Sequence, residues 1–275
     1  MSTARVWNIA HRGARSLAPE NTLLAARKAY DLGADMWETD IGMTRDGALI
    51  ILHDDTLTRT TNVMEEFPDR YPWRVSDFTL AELRALDAGS WYPATDPYGL
   101  IKEGQISARE VEGFYGLVIP TLEEALSLTR ELGWSINLEI KNMHNNPAQW
   151  SGIEEIAGWI RRMAMQDQVI VSSFNHSYLP RIREILPELR TAVLVDKHIP
   201  DPVNLLRTLG AVSFNPSRDI VTREMVYELR EAGFGTLVWT VNDPSDIRMM
   251  MELGVKGIFT DFPQILCELQ GPAQA

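Results

Sequence analysis

Residues 223–260, REMVYELREAGFGTLVWTVNDPSDIRMMMELGVKGIFT, hold two helix-to-strand units in succession. An amphipathic stretch over 223–232 stops at Gly233 and a short β-branched run follows at 236–240; the cycle repeats with 245–253, Gly254 and 257–260. Apolar residues at helical spacing, then a glycine where a left-handed residue closes a helix, then a hydrophobic run describe parallel strands joined by crossover helices. Outward from this stretch the pattern continues. Strands are predicted near 6–10, 35–40, 136–140, 169–173, 192–195 and 211–215, and helices near 21–32, 122–132, 153–163, 177–186, 202–209 and 263–269. Gly33, Gly133 and Gly210 repeat the helix-glycine-strand join, and Thr121 before Leu122-Glu123-Glu124 reads as an N-cap with acids in the first turn. Eight strands and eight helices predict an α/β fold, a (β/α)8 TIM barrel, as one domain over 1–275.

One strand-like run, 48–52, breaks the alternation. Residues 41–47 are too few for a helical crossover, and Arg45-Asp46-Gly47 is a turn signal, so the run is expected to be the return arm of a hairpin. Folding the chain about Asp46 brings His53 level with Thr39, between Glu38 and Asp40. From 59 to 119 the pattern weakens among prolines, glycines and aromatics, with one short helix expected at 80–86. A segment of this length between the second strand and second helix is expected to be an insertion over the barrel mouth, or else packing on the barrel side.

Bulk composition narrows the partners. The 275 residues carry 26 Lys and Arg against 38 Asp and Glu, a net charge of −12 that disfavours nucleic acid. The single cysteine, Cys267, excludes an internal disulfide and any multi-cysteine metal site, which fits a reducing compartment. Neither a signal peptide nor an apolar run of membrane-spanning length is read, so a cytoplasmic protein without stable membrane insertion is expected. Oligomeric state is left open.

Four short pieces carry chemistry: His11-Arg12-Gly13, Glu38-Thr39-Asp40, His53-Asp54 and Glu139-Ile140-Lys141. All fall at the carboxyl ends of expected strands or on the hairpin arm beside one, where barrel enzymes keep catalytic groups. Side chains alternate along a strand, so Glu38 and Asp40 share a side and converge with Glu139. Three such carboxylates repel one another unless a divalent cation, Mg²⁺, Ca²⁺ or Mn²⁺ for an all-oxygen set, lies between them; pairing with Arg12 and Lys141 alone is the alternative. His11 and His53 as a pair can divide two proton transfers, although either alone reads as a packing residue. Arg12 offers two parallel hydrogen bonds to a phosphate and Lys141 a movable charge, while both can simply neutralise the acids. Trp239 is read either as a flat wall for an alcohol moiety or as core. His144, His176 and His198 lack such company and read as loop or surface.

With these pieces in order stand Pro19-Glu20-Asn21-Thr22, Gly33-Ala34-Asp35, Thr44-Arg45-Asp46-Gly47, Arg59-Thr60-Thr61, Leu86-Asp87-Ala88-Gly89, Pro120-Thr121-Leu122-Glu123-Glu124, Trp239-Thr240-Val241-Asn242 and Thr260-Asp261-Phe262-Pro263. The series resembles the glycerophosphodiester phosphodiesterase family. The resemblance implies metal-dependent hydrolysis of a glycerophosphodiester to glycerol 3-phosphate and an alcohol. It implies His11 and His53 as the acid–base pair, Glu38, Asp40 and Glu139 as ligands of one divalent cation, and Arg12 and Lys141 as phosphate contacts. It also implies attack by the glycerol 2-hydroxyl to give a cyclic phosphate that water then opens. The segment 62–119 is longer than compact members need, which leaves head-group preference open, and Trp37 stands where a smaller aliphatic is common. A lysophospholipase D-type activity and a non-catalytic phosphodiester-binding protein are the competing readings.

Overall fold

The computed structural model describes residues 5–141 and 149–271, and His144 lies outside them. Nine strands form one sheet: β1 (Trp7–His11), β2 (Met36–Met43), β3 (Leu49–Ile51), β4 (Ile136–Ile140), β5 (Val169–Ser173), β6 (Arg190–Val195), β7 (Ser213–Pro216), β8 (Gly235–Val238) and β9 (Gly257–Thr260). Their order is β1-β9-β8-β7-β6-β5-β4-β2-β3, and β1 also pairs with β2, which closes eight parallel strands into a barrel. The expected (β/α)8 architecture is therefore the observed one. Gly33, Gly133, Gly210, Gly233 and Gly254 all take positive φ, between 59° and 86°, the left-handed conformation expected of helix-ending glycines.

β3 is the expected hairpin arm. It runs antiparallel to β2 with Ile41 opposite Ile51, Gly42 opposite Ile50 and Met43 opposite Leu49, a register centred on residue 46. Thr44 Oγ1 donates to Asp46 Oδ1 at 2.6 Å and accepts from the Ala48 N–H at 2.9 Å, which pins the turn. One residue past the arm, Leu52 N–H donates to Asp40 C=O at 3.0 Å, so His53 emerges beside the end of β2.

Two apolar layers hold the barrel. Inside it, Ile9, Met36, Ile170, Ala192, Leu237 and Phe259 pack together below the mouth. Outside, strand faces meet the helices, and Trp37 belongs to this layer: it is fully buried, its indole N–H donates to Thr129 Oγ1 at 2.9 Å, and it stacks near Trp134. Fully burying side chains of this size contributes roughly 1.5–3 kcal/mol each.

The segment after the hairpin differs from its sequence reading. Besides the expected helix, seen at Leu80–Leu83, it contains helices at Val63–Glu66, Trp91–Thr95 and Ala108–Glu112 and a 3₁₀ turn at Val75–Asp77. Helices of four or five residues span barely one turn and leave no periodic signature. It has two cores of its own: Leu57, Val63, Phe78 and Leu83 pack on the hairpin residues Ile50 and Leu52, whereas Tyr92, Ile106 and Phe114 pack on Ala18 and Ala25.

Candidate active site

The carboxyl end of the barrel gathers the residues that the sequence singled out. Carboxylate oxygens of Glu38, Asp40 and Glu139, all from inward positions on β2 and β4, lie within 4.8 Å of one another, and Asp40 is directly opposite Glu139 in the strand register. Burial, then the charges of Asp40 and Glu139, push the Glu38 carboxyl well above its ordinary range. Burial and Asp40 do the same to Glu139. For Asp40 burial works the other way, but Arg12, Lys141 and His53 outweigh it and hold the carboxyl low. Carboxylates that resist ionising beside one another are a fitting set of hard oxygen donors for a divalent cation, since its charge removes the repulsion.

His11 closes β1. After it, Arg12 and Gly13 turn the chain through positive φ, 56° and 81°. The turn aims the Arg12 N–H at Glu38 Oε2, 3.0 Å away, and a left-handed arginine costs on the order of 1 kcal/mol. At Gly13 a Cβ would stand 2.6 Å from the Ala25 backbone carbon, so glycine is required where the loop crosses the first helix. The His11 ring Nδ1–H donates to Asp261 Oδ1 at 2.6 Å, and Nε2 lies 3.9 Å from Glu38 Oε2. Burial and the neighbouring Arg12 charge lower the His11 pKa, with the Asp261 bond opposing them. His53 has an equivalent partner, with Nδ1 2.6 Å from Asp54 Oδ1.

The cations are arranged around this core. Lys141 Nζ lies 2.9 Å from Glu139 and 3.6 Å from Asp40. Arg12 Nε stands 3.3 Å from Asp40 Oδ2 without the alignment of a hydrogen bond, which leaves a buried donor without a partner among the described residues. Trp239, just past β8, donates from its indole to Asn215 C=O at 2.8 Å and meets Phe174 edge to face; it packs on the barrel interior while remaining half-buried. The packing reading of Trp239 is the one its contacts bear on. His176 is bonded to Leu194 C=O and is no part of the cluster.

Four residues here were not given roles from sequence. Asp261, one residue past β9, binds His11 and also accepts from Tyr98 Oη at 3.2 Å and Asn242 Nδ2 at 2.8 Å. Glu20 is buried and accepts from Arg12, Arg15 and Arg59; although burial opposes it, the Arg59 hydrogen bonds and the Arg12 charge hold its carboxyl at about 2. Asn21 donates to Asp40 and accepts from Thr39, fixing β2's end. Arg59 ties Glu20 to Asp54 and so to His53. Each sits inside a quoted motif, but no spacing rule links it to its partner.

A closed β/α barrel with a carboxylate cluster, two carboxylate-backed imidazoles and arginines at its carboxyl end defines a class, the barrel enzymes that act on anionic esters with a bound cation. A sequence model of the glycerophosphoryl diester phosphodiesterase family matches residues 11–265, and the chain belongs to that family. The glycerophosphodiester phosphodiesterase of Caldanaerobacter subterraneus subsp. tengcongensis is 36% identical over 262 residues, covering 95% of this chain and 96% of that protein. The enzyme of that name from Bacillus altitudinis is 36% identical over 92% of this chain and 94% of its own length. Among solved structures, a phosphodiesterase of Oleispira antarctica in complex with its product sn-glycerol 3-phosphate superposes with a TM-score of 0.80 at 28% identity, over 94% of both chains.

Proposed function

We propose that this protein hydrolyses glycerophosphodiesters to glycerol 3-phosphate and a free alcohol at the carboxyl end of the barrel. The observation that carries the reading is the convergence of Glu38, Asp40 and Glu139 with two imidazoles, each backed by its own carboxylate. Glu38, Asp40 and Glu139 would hold one divalent cation, Mg²⁺ or Ca²⁺ with Mn²⁺ also suited, and when bound it neutralises phosphoryl charge and lowers the pKa of a nearby hydroxyl.

The chain's own residues do the rest. Arg12 and Lys141 bind and orient the phosphodiester, with the unpartnered Arg12 Nε–H available to a phosphoryl oxygen. Asp261, a carboxylate, can only accept at His11 Nδ1, so Nδ1 carries the hydrogen and Nε2 the lone pair; burial and the Arg12 charge lower the His11 pKa and suit Nε2 to accept a proton. His11 takes the proton of the glycerol 2-hydroxyl as it attacks phosphorus, and His53 gives one to the departing alcohol. In the second half the roles reverse: His53 takes a proton from water and His11 returns one to the 2-oxygen, opening the cyclic phosphate. Trp239 and Phe174 offer the alcohol an aromatic wall.

The chain is read as one functional unit, with 59–119 acting as a cover over the mouth. The Tyr98–Asp261 bond and the Arg59 bridge between Glu20 and Asp54 support that reading. The lone cysteine supports a reducing, cytoplasmic setting. The test is glycerol 3-phosphate release from glycerophosphocholine and other head groups, against lysophosphatidylcholine, with Mg²⁺, Ca²⁺ or Mn²⁺ titrated. Release from a glycerophosphodiester that depends on added cation is expected. Binding without turnover in every combination overturns the proposal in favour of a non-catalytic protein, and turnover of the lysolipid alone favours the lysophospholipase D reading.

A further inference from the structure

The barrel has a second concave site at its other end. The amino-terminal ends of β1, β6, β7, β8 and β9 surround a cavity of about 540 Å³, a size that suits a small organic molecule. Among the described residues four cationic side chains line it, Arg5, Arg190, Arg230 and Lys256, and no Asp or Glu does, although acids outnumber bases in the chain by twelve. Part of that charge is already engaged. Arg5 pairs with Asp35 at 3.1 Å, and Arg230 only grazes the exposed Glu231 at 4.0 Å. Among the described residues, Arg190 and Lys256 have no carboxylate within ion-pair distance; Arg190 bonds the Asp167 carbonyl, and the Lys256 ammonium lies 4.7 Å from the centre of the Trp7 ring.

The rest of the lining is apolar. Trp7 and Phe234 are half-buried there, with Leu237 behind them. Glycines open both adjoining strands and keep the floor recessed: a Cβ at Gly257 would come within 3.0 Å of Trp7 and Leu237, and one at Gly235 would touch Lys256. Cations at this end of a barrel also serve helix carboxyl termini, and that accounts for Arg230, which lies in the last turn of the helix Arg223–Glu231. It does not account for Arg5 or Lys256, which lie before strands with their side chains lining the hollow.

We propose that this cavity binds a small amphipathic organic anion, its charged group facing Lys256, Arg190 and Arg230 and its apolar body lying on Trp7 and Phe234. The binding is independent of the chemistry at the opposite end of the barrel. It is tested with 8-anilinonaphthalene-1-sulfonate on the full chain, with Mg²⁺ and saturating glycerol 3-phosphate present, read by fluorescence and by calorimetry. One saturable site is expected. Its affinity is expected to fall roughly tenfold or more in the Lys256→Glu/Arg230→Glu double variant and to fall with salt. Lys256→Met, which keeps a side chain on Trp7 but no charge, is expected to fall between parent and double variant, and Arg27→Glu on a distant helix to bind like the parent. Absence of saturable binding, a stoichiometry well above one, or unchanged affinity in the double variant overturns the proposal.

Discussion

Replacing Asp261 with asparagine keeps the shape of the site and removes one charge. In the parent, all four groups around this side chain offer hydrogens or positive charge: His11 Nδ1 at 2.6 Å, Asn242 Nδ2 at 2.8 Å, Tyr98 Oη at 3.2 Å and Arg15 Nη1 at 3.5 Å. A carboxylate accepts from them all, and against burial they hold it well below the usual carboxylate range. An amide cannot. If its oxygen faces His11, its NH₂ is forced against the Asn242 NH₂; if its NH₂ faces His11, the ring must shift its proton to Nε2, which can then no longer accept one. The loss is expected to be on the order of 10²- to 10⁴-fold in kcat, the span for removing a general base or fixing it in the wrong tautomer, with KM changed only a few-fold. Because the Asp261 bond raises the His11 pKa, its removal should also move the acidic limb of the rate profile to lower pH. Tyr98→Phe keeps the ring against Phe262 and deletes only the hydroxyl, so a smaller loss of the same kind is expected. Glycerol 3-phosphate release measured over pH 5–10 gives both readings. An Asp261→Asn enzyme turning over within about threefold of the parent would refute the reasoning.

His11→Ala and His53→Ala are each expected to lower turnover roughly 10²-fold or more, and a near-normal rate in either removes that residue from the acid–base pair. Glu139→Gln should raise the cation concentration needed for half-maximal activity; a titration curve matching the parent's excludes Glu139 as a ligand. For the parent, cation affinity measured by calorimetry should rise with pH, because Glu38 and Glu139 hold protons more tightly than ordinary carboxyls and must release them. Glu20, held at about 2 against an ordinary 4.5, contributes on the order of 3 kcal/mol above pH 4.5 that is lost as pH falls toward 2. Denaturant melts of Glu20→Gln should therefore show lower stability at neutral pH and a flatter acid limb.

How much was legible in the sequence depends on the range of the signal. Helix-glycine-strand units are local, and each repeated the same chemistry, so all eight strands were found, with ends within two residues except that β2 runs three residues further, to Met43. The first helix begins at Leu23 rather than 21 because Asn21 takes a positive φ and Thr22 caps the helix, accepting from the Ala25 N–H. The hairpin register followed from its turn, since pairing about residue 46 admits one alignment. In the insertion, Ser107-Ala108-Arg109-Glu110 forms a capping box, and that S-x-x-E signal was available for a helix too short to show a period. The acidic cluster was legible because alternation fixes Glu38 and Asp40 on one face. Asp261 was not, being 250 residues from His11 and standing beside Pro263, where it reads as a helix start. Glu20 was hidden the same way, in a loop where Pro19-Glu20-Asn21-Thr22 reads as another helix entry.

The charges around the mouth bear on how many cations the site takes. Six carboxylates are linked there, Glu20, Glu38, Asp40, Asp54, Glu139 and Asp261, against four fixed cations, Arg12, Arg15, Arg59 and Lys141. With all six ionised, as a bound cation requires of Glu38 and Glu139, they exceed the four fixed cations by two charges, which one divalent cation offsets and two would overturn. A phosphodiester monoanion approaching the bare site meets the long-range repulsion of a chain of −12. With one cation in place the excess of carboxylate charge is offset, and among the described residues the Arg12 Nε–H has no other partner. Chelation should therefore abolish the binding of glycerol 3-phosphate measured by calorimetry, and not turnover alone. Undiminished binding in the chelator would mean that Arg12 and Lys141 hold the anion unaided and that the three acids serve only to neutralise them.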